Sequence, residues 1–489
     1  MSVFDGFKPE SVYRYFEEVS KIPRNSYHEE KISGYLVDFA KRRGLKYTQD
    51  EHYNVVIEKP ASPGYEGRKK VILQGHMDMV CVASEGVVHD FLRDPIELVR
   101  DGDYVRANGT TLGSDDGNAL AIILAVLEND DMPHPPLQAI FTSAEEVGMV
   151  GACRLDAGLI DGDYIIGLDY SQNTDILVSG AGALSCSVRI PVQTVPADAS
   201  GLISYILTIK GLSGGHSGSQ IILGRGNGIR LMGEALRTFK REFKDLRAAS
   251  FTGGDKGNVI PPWSAAQITL DSKEKGAFEA AAKRFDETIR SEYALTDPGI
   301  KFTASQCESP KAVYAEQSLE NLLDLLDLLP AGAQNYLDAE RKHVKSSSNP
   351  GVLREDEKGL TLLIFSRANT EYQAEQLVRR ISAAAGRCGA KCEWNYRLPA
   401  WQFDPKSEFV SKVRGVWEKT RGYRPELAVT HGGIELGIFV DKMKSRGRKL
   451  EAVGIGPHSA DVHSPDERME IATLGQTYEL VAALLRYLD

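Results

Sequence analysis

Residues 70–78 read KVILQGHMD. The stretch Lys70–Gln74 is a short apolar run that ends at a glycine, and it reads as a strand. His76 then stands at the carboxyl end of that strand, where open α/β sheets bind ligands. Asp78 follows two residues later, on the same side of an extended chain. There a carboxylate can accept the second ring N–H of a ligating His and fix its tautomer. Taken alone, H-x-D is weak, because many such triplets are surface accidents. Its weight depends on what ends the neighbouring strands.

Outward from this stretch, Tyr53–Glu58, Gln138–Thr142 and Tyr164–Leu168 are further short apolar runs that read as strands, and Ala119–Leu127 reads as a buried helix. Near the start, Val12, Tyr15, Phe16 and Val19 fall on one helical face behind Pro9, and a second helix from about Glu29 to Arg43 stops at Gly44. Strands alternating with helices predict an α/β layer with a largely parallel sheet. The pattern changes near residue 185. Ser204–Lys210, Arg225–Phe243 and Ala266–Asp271 read as strand, helix, strand. The segments 268–285 and 362–380 both read as strand, polar break, amphipathic helix. This weak internal repeat suggests a duplicated α+β module. Near Leu398–Pro399 the chain returns to the first domain, with a short strand at Val453–Gly456 and a last helix at Ile471–Leu488. The expected layout is a discontinuous domain, 1–184 and 398–489, with a second domain, 185–397, inserted in it.

The chain has 489 residues, 42% hydrophobic and 26% charged, which is ordinary for a globular protein. Its formal net charge of −10 disfavours nucleic acid and anionic membranes as partners. Six Cys are too few for a disulfide scaffold, and the lone C-x3-C at Cys388 and Cys392 reads as two reduced thiols. The N-terminus has no signal-peptide pattern, and no run of about 18 apolar residues occurs, so a cytoplasmic location is the default.

The other strand ends carry the same kind of side chain. Leu112-Gly113-Ser114-Asp115-Asp116-Gly117 precedes the apolar helix; taken alone it reads best as a helix N-cap. Ser143-Ala144-Glu145-Glu146-Val147-Gly148 follows a strand, where a turn can bring adjacent carboxylates to one cavity; a solvated acidic turn is the competing reading. Gly167-Leu168-Asp169 ends another strand, and Pro457–Pro465 contains His458, Asp461 and His463. The combination is more telling than any part. Two imidazoles and three carboxylates suit two divalent ions that share a bridging carboxylate, with one carboxylate left over as a base. That is the equipment of metal-assisted hydrolysis.

In order, G-H-M-D, L-G-S-D-D-G, S-A-E-E-V-G, G-L-D and a late V-H-S-P-D-E resemble the co-catalytic zinc exopeptidases of clan MH, the group of carnosinases, aminoacylases and carboxypeptidase G. The resemblance spans nearly the whole chain. Within the clan, the length, the large insert and the phrases LGSDDG, GLSGGHSG and HGGIE are most similar to the aminoacyl-histidine dipeptidases. The resemblance implies a zinc-exopeptidase-like catalytic domain, its mostly parallel sheet covered by helices on both faces, and an inserted α+β lid made of a doubled ferredoxin-like module. It implies His76 and Asp169 on one ion, Glu146 and His463 on the other, and Asp115 bridging them, with a cis bond between Asp115 and Asp116. Asp78 would orient His76, and Glu145 would be the general base that deprotonates the bridging water. The ions would be zinc, with cobalt or manganese possible. The implied partners are a dipeptide such as Xaa-His or carnosine and a second copy of the chain in a homodimer.

From the insert, the resemblance implies His216 as an oxyanion-stabilising lid residue and Asn258 as a substrate contact. Simpler relatives carry Asp-x-Arg on the next lid strand; here the stretch is Asp271-Ser272-Lys273. The carboxylate-gripping role is therefore expected of Arg367, in Phe365-Ser366-Arg367 of the second repeat, because Arg suits a bidentate contact better than Lys. In His431-Gly432-Gly433-Ile434-Glu435, the N–H groups of Gly432 and Gly433 are expected to hold a peptide C-terminus, and Glu435 to touch the rest of the substrate. The competing functions are a deacylase or tripeptidase of the same clan, or a metal-binding scaffold without catalysis.

Overall fold

The computed structural model describes residues 2–197 and 201–488. The chain forms two compact units: Met1–Ser179, Trp401–Val429 and Ile434–Asp489 make the first, and Gly180–Ala400 with Thr430–Gly433 the second. The grouping of Thr430–Gly433 with the second unit is marked by no shift in composition.

The first unit is built on an eight-stranded sheet. Its order is Lys46–Gln49, Val55–Lys59, Leu137–Thr142, Val71–His76, Tyr164–Gly167, Glu451–Gly454, Asp175–Gly180, Glu426–Thr430. The four middle strands of this order, from Leu137–Thr142 to Glu451–Gly454, run parallel. Strands Val71–His76 and Leu137–Thr142 are buried along their whole length, as expected of parallel strands covered on both faces. The helix Ser114–Glu128 is apolar all round, and every residue from Ala119 to Leu127 is at most 1% exposed. A helix without a polar face belongs inside a core; this one is packed by helices Glu10–Ser20 and Ile471–Tyr487 and by strand Val71–His76. Its approach to the strand explains Gly75, where a Cβ would lie 2.3 Å from the Ala119 Cβ. The helix Glu30–Arg43 ends at Gly44 in the left-handed region (φ 64°), the C-cap that the sequence predicts.

The second unit carries a nine-stranded antiparallel sheet, a small two-stranded one (Thr194–Pro196 with Ala312–Tyr314), and helices Gly228–Glu242, Lys275–Glu292, Glu316–Leu328 and Glu371–Arg387. Strands Leu202–Lys210, Arg247–Gly253, Ser264–Asp271 and Lys301–Cys307, with the first two helices, form a β-α-β-β-α-β module of strand order 4-1-3-2. Strands Gly182–Ile190, Val344–Asp356, Gly359–Ala368 and Lys391–Arg397, with the other two, form a second module of the same order. The two sheets join through the pair Gly253↔Leu353. The repeat expected from the sequence is therefore nested. The whole first module lies between the first strand and first helix of the second, which a search for consecutive copies does not anticipate.

Candidate metal centre and active site

The parallel strands deliver their side chains to one edge of the sheet. His76 is the last residue of its strand, Asp169 follows Gly167 by two residues, and Glu145 and Glu146 follow Thr142. Directly after Thr142 and Ser143, Ala144 takes a left-handed conformation (φ 49°) and turns the chain. The amides of Glu145 and Glu146 then donate to Asp78 Oδ1 at 2.9 Å and Oδ2 at 3.2 Å. Asp78 is fully buried and also accepts from the Ser26 hydroxyl at 2.8 Å. Its Oδ1 lies 3.5 Å from His76 Nδ1, so the carboxylate faces the imidazole while its shorter bonds fix the Glu145–Glu146 turn. Burial works against its charge, but His76 and these donors hold its pKa below the usual carboxylate range.

Asp115 lies between the two histidines. Its Oδ1 is 2.9 Å from His76 Nε2 and its Oδ2 is 3.1 Å from His463 Nε2. Glu146 Oε2 is 3.0 Å from the same His463 nitrogen. His463 sits in the hairpin loop between Ser459–Ala460 and Arg468–Glu470, at φ 65°. The Asp115–Asp116 peptide is cis. The N-cap reading of this segment applies to its neighbour: Asp116 Oδ1 accepts the Ala119 N–H at 3.3 Å, while Asp115 has non-helical φ/ψ. Asp116 Oδ2 accepts the His76 N–H at 3.1 Å.

Three groups, His76–Asp116–Asp169, His76–Glu145–Glu146 and Asp115–Glu146–His463, bring ligand atoms within 4.8 Å of one another. Asp116 was not singled out as a ligand in the sequence, although it adjoins Asp115. Nitrogen and carboxylate oxygen donors of this kind suit zinc and similar divalent ions. Glu146 Oε1 is buried with no hydrogen-bond partner among the described residues. The residues fit a divalent cation. The electrostatics agree: burial, with Asp115 close by, raises Asp169 to about 7, and burial raises Glu145 well above the usual carboxylate range, with Asp169, Glu146 and Glu435 adding to it. Asp115 stays below that range because His463 and His76 outweigh its burial.

Glu435 departs from expectation. It is 1% exposed; its Oε2 accepts from Gln74 Nε2 at 2.6 Å and Thr142 Oγ1 at 2.7 Å, which ties it to two strands, and its Oε1 is buried with no hydrogen-bond partner among the described residues. Burial raises it to about 8. The Gly432 N–H is taken by Thr430 Oγ1 at 3.0 Å, so that amide is not offered outward.

Within the second unit, Arg367 is 6% exposed, its Nη2 lies 3.1 Å from His216 Nε2, and its Nε has no partner among the described residues. Gly218 is required beside them, since a Cβ there would lie 2.9 Å from His216 Cε1 and 3.0 Å from Arg367 Nε. Asn258 is in an exposed turn whose carbonyl accepts from Ser217 N at 2.9 Å, and Val259 bridges His216. His431 opens the phrase in which roles are expected only of Gly432, Gly433 and Glu435. Its Nε2 is 2.8 Å from Ser347 Oγ and its Nδ1 is 3.0 Å from Asn369 Oδ1. Burial, with Arg367 and His216 nearby, pushes it down to about 3.

No helix among the described residues is long and apolar enough to cross a membrane. Over 488 residues the chain is 32% identical to the cytosol non-specific dipeptidase of Escherichia coli (strain K12), covering 99% of each protein. Its structure is similar to that of an aminoacylhistidine dipeptidase from Vibrio alginolyticus, with a TM-score of 0.85, 31% identity, and 99% and 98% of the two chains covered. The aminopeptidase PepT of Bacillus cereus ATCC 10987, at 16% identity and a TM-score of 0.57 over 98% of each chain, shares the fold. The sequence model of Peptidase family M20/M25/M40 matches residues 72–487, and with the full-length relatives this shows that the chain belongs to that family.

Proposed function

We propose that the protein is a metal-dependent dipeptidase that hydrolyses Xaa-His and related dipeptides, carnosine included, in the cytoplasm. Similarity along the full length to two proteins named as dipeptidases supports the reaction class. The observation that carries the two-ion reading is Asp115, with one oxygen toward each histidine at 2.9 and 3.1 Å. In this reading His76 and Asp169 would hold one ion and Glu146 and His463 the other, with Asp115 serving both; zinc would suit the set, as would cobalt or manganese. When bound, the ions polarise the scissile carbonyl and make water acidic enough to attack near neutral pH.

Glu145 accepts the proton of the attacking water at its carboxylate and delivers it to the leaving amine. Its backbone, fixed to Asp78, keeps the carboxylate in place. The substrate-binding roles fall to His216 for the oxyanion and Arg367 for the peptide carboxylate, with Asn258 and the Gly433 amide as further contacts. The buried, unpartnered Nε of Arg367 supports its part. Homodimerisation rests on the family resemblance alone and is read by light scattering.

Assay of Ala-His, carnosine, tripeptides and acetyl-amino acids, before and after chelation, tests the proposal. The expected result is dipeptide cleavage that is lost on chelation and restored by zinc, cobalt or manganese. Full activity after exhaustive chelation, or preference for tripeptides or acetyl-amino acids, refutes it.

A further inference from the structure

Glu467 belongs to the late V-H-S-P-D-E phrase and lies in the same hairpin loop as His463. It is 2% exposed. Its Oε2 accepts the backbone N–H of Leu112 at 2.9 Å and of Gly113 at 3.0 Å. Its Oε1 accepts the Ser114 N–H at 2.8 Å and the Ser114 hydroxyl at 2.7 Å, and lies 3.4 Å from the Asp115 N–H. One carboxylate thus collects the donors of the whole segment that leads to Asp115. Arg24, also 2% exposed, holds the segment by its acceptor: Nη2 donates to the Gly113 carbonyl, while Nη1 donates to the carbonyls of Met77 at 3.1 Å and Asp78 at 3.0 Å. Gly113 is at φ 70°, and a Cβ there would lie 2.5 Å from Arg24 Nη2, so no side chain fits between clamp and loop.

Asp115 lies within the span Ser114–Glu128, but at a kink where its backbone is non-helical (φ −87°, ψ 104°), so helix geometry does not fix it. Its place is set by what grips the adjoining peptide groups. We propose that Glu467, seconded by Arg24, is a positioning residue that holds Leu112–Asp115 so that the two Asp115 oxygens face His76 and His463 at once. Because Glu467 and His463 share one loop, the segment that supplies one ligand also sets the other. Arg24 in turn ties the Asp115 segment to the strand end that carries His76. The inference rests on the two-ion reading above.

The test is titration of chelator-stripped protein with Co2+, followed by visible absorbance and calorimetry, on the native chain, Glu467→Gln and Ser114→Ala. Gln keeps one acceptor and turns an NH2 toward backbone N–H groups. The native chain is expected to take two Co2+. Glu467→Gln is expected to bind them about 10–100-fold more weakly, with an altered visible spectrum and a fall in kcat at matched cobalt that exceeds any change in KM. Ser114→Ala removes a single bond to Glu467 and keeps the test open if the first variant does not fold; it is expected to shift affinity and spectrum the same way by less. Two Co2+ bound by both variants with native affinity and spectrum overturns the positioning role and leaves the two-ion reading standing. A native chain that binds no Co2+ overturns both.

Discussion

Asp297 offers a test of how the His216 loop is held. The residue is fully buried. Its Oδ1 accepts the Ser213 N–H at 2.7 Å, and its Oδ2 accepts the Gly226 N–H at 2.8 Å. The first bond anchors the glycine-rich stretch Gly211–Gly218. The second anchors the approach to Asn227, which caps helix Gly228–Glu242 through the amides of Ile229 and Arg230. Asp297→Asn keeps the shape and one acceptor. It loses one charge-assisted bond, worth about 1.5–3 kcal/mol, and leaves a buried N–H facing an NH2, a penalty of about 1–3 kcal/mol. Relief from burying a charge offsets part of this, so the expected net loss is about 2–4 kcal/mol. For a domain of roughly 150–250 residues that lowers the calorimetric Tm by about 4–16 °C. If the loop also shifts His216 by about 1 Å, kcat falls by up to about 100-fold. Calorimetry, hydrogen exchange across residues 211–218 and dipeptide turnover check the three consequences. A variant with an unchanged Tm and native exchange in the loop would refute the assignment of Asp297 as its anchor.

Two further outcomes are expected. Glu145→Gln leaves the backbone brace on Asp78 intact and removes only the proton carrier, so kcat should fall by about 10²–10⁴ while metal analysis still finds a native ion content; turnover within tenfold of native would rule out the base assignment. His431 is held near 3 in the folded chain, whereas an unfolded His titrates near ~6.5. Its contribution to stability is therefore complete above that unfolded value and is lost as pH falls toward 3. Denaturant unfolding at several pH values should show the native chain losing up to about 1.4 kcal/mol per pH unit more than His431→Gln below pH ~6.5, and parallel curves would exclude the effect.

The sequence is most legible where one side chain type repeats at one structural place. His76, Glu145–Glu146 and Asp169 each end or follow a short apolar run, so a reader who finds the strands finds these candidate site residues. His463 is less legible, because it sits in a hairpin loop between the two-residue strand Ser459–Ala460 and Arg468–Glu470 rather than at the end of an apolar run; the ordered family phrases are what single it out. Asp115 was misread in isolation, since an N-cap and a ligand loop share Ser and Asp. The structure divides the two duties between adjacent residues, Asp116 capping and Asp115 facing the histidines. The nested modules were legible only as a repeat: strand and helix periodicity identify each copy, but strand order is a long-range property that no window of sequence contains. Glu435 was misplaced because a Glu opening a helix looks exposed, and only the fold brings Gln74 and Thr142 to its carboxylate.

The buried acids fall into two physical classes that composition cannot separate. Asp78, Glu467 and Asp297 have their oxygens filled by N–H and O–H donors from loops. Each collects peptide groups that no helix or strand satisfies, which is how a loop acquires a single conformation. Asp115 and Glu146 instead turn oxygens toward imidazole nitrogens, and Glu146 keeps one buried oxygen without a partner among the described residues. A carboxylate whose oxygens accept peptide N–H groups spends its charge on holding a loop, whereas Asp115 and Glu146 direct oxygens at imidazole nitrogens. Within the first unit the two classes stand side by side: Asp78 and Glu467 brace the segments that carry Glu146 and Asp115. Formal net charge counts every one as surface repulsion, yet the first class is neutralised by oriented peptide dipoles and the second, in the two-ion reading, by cations.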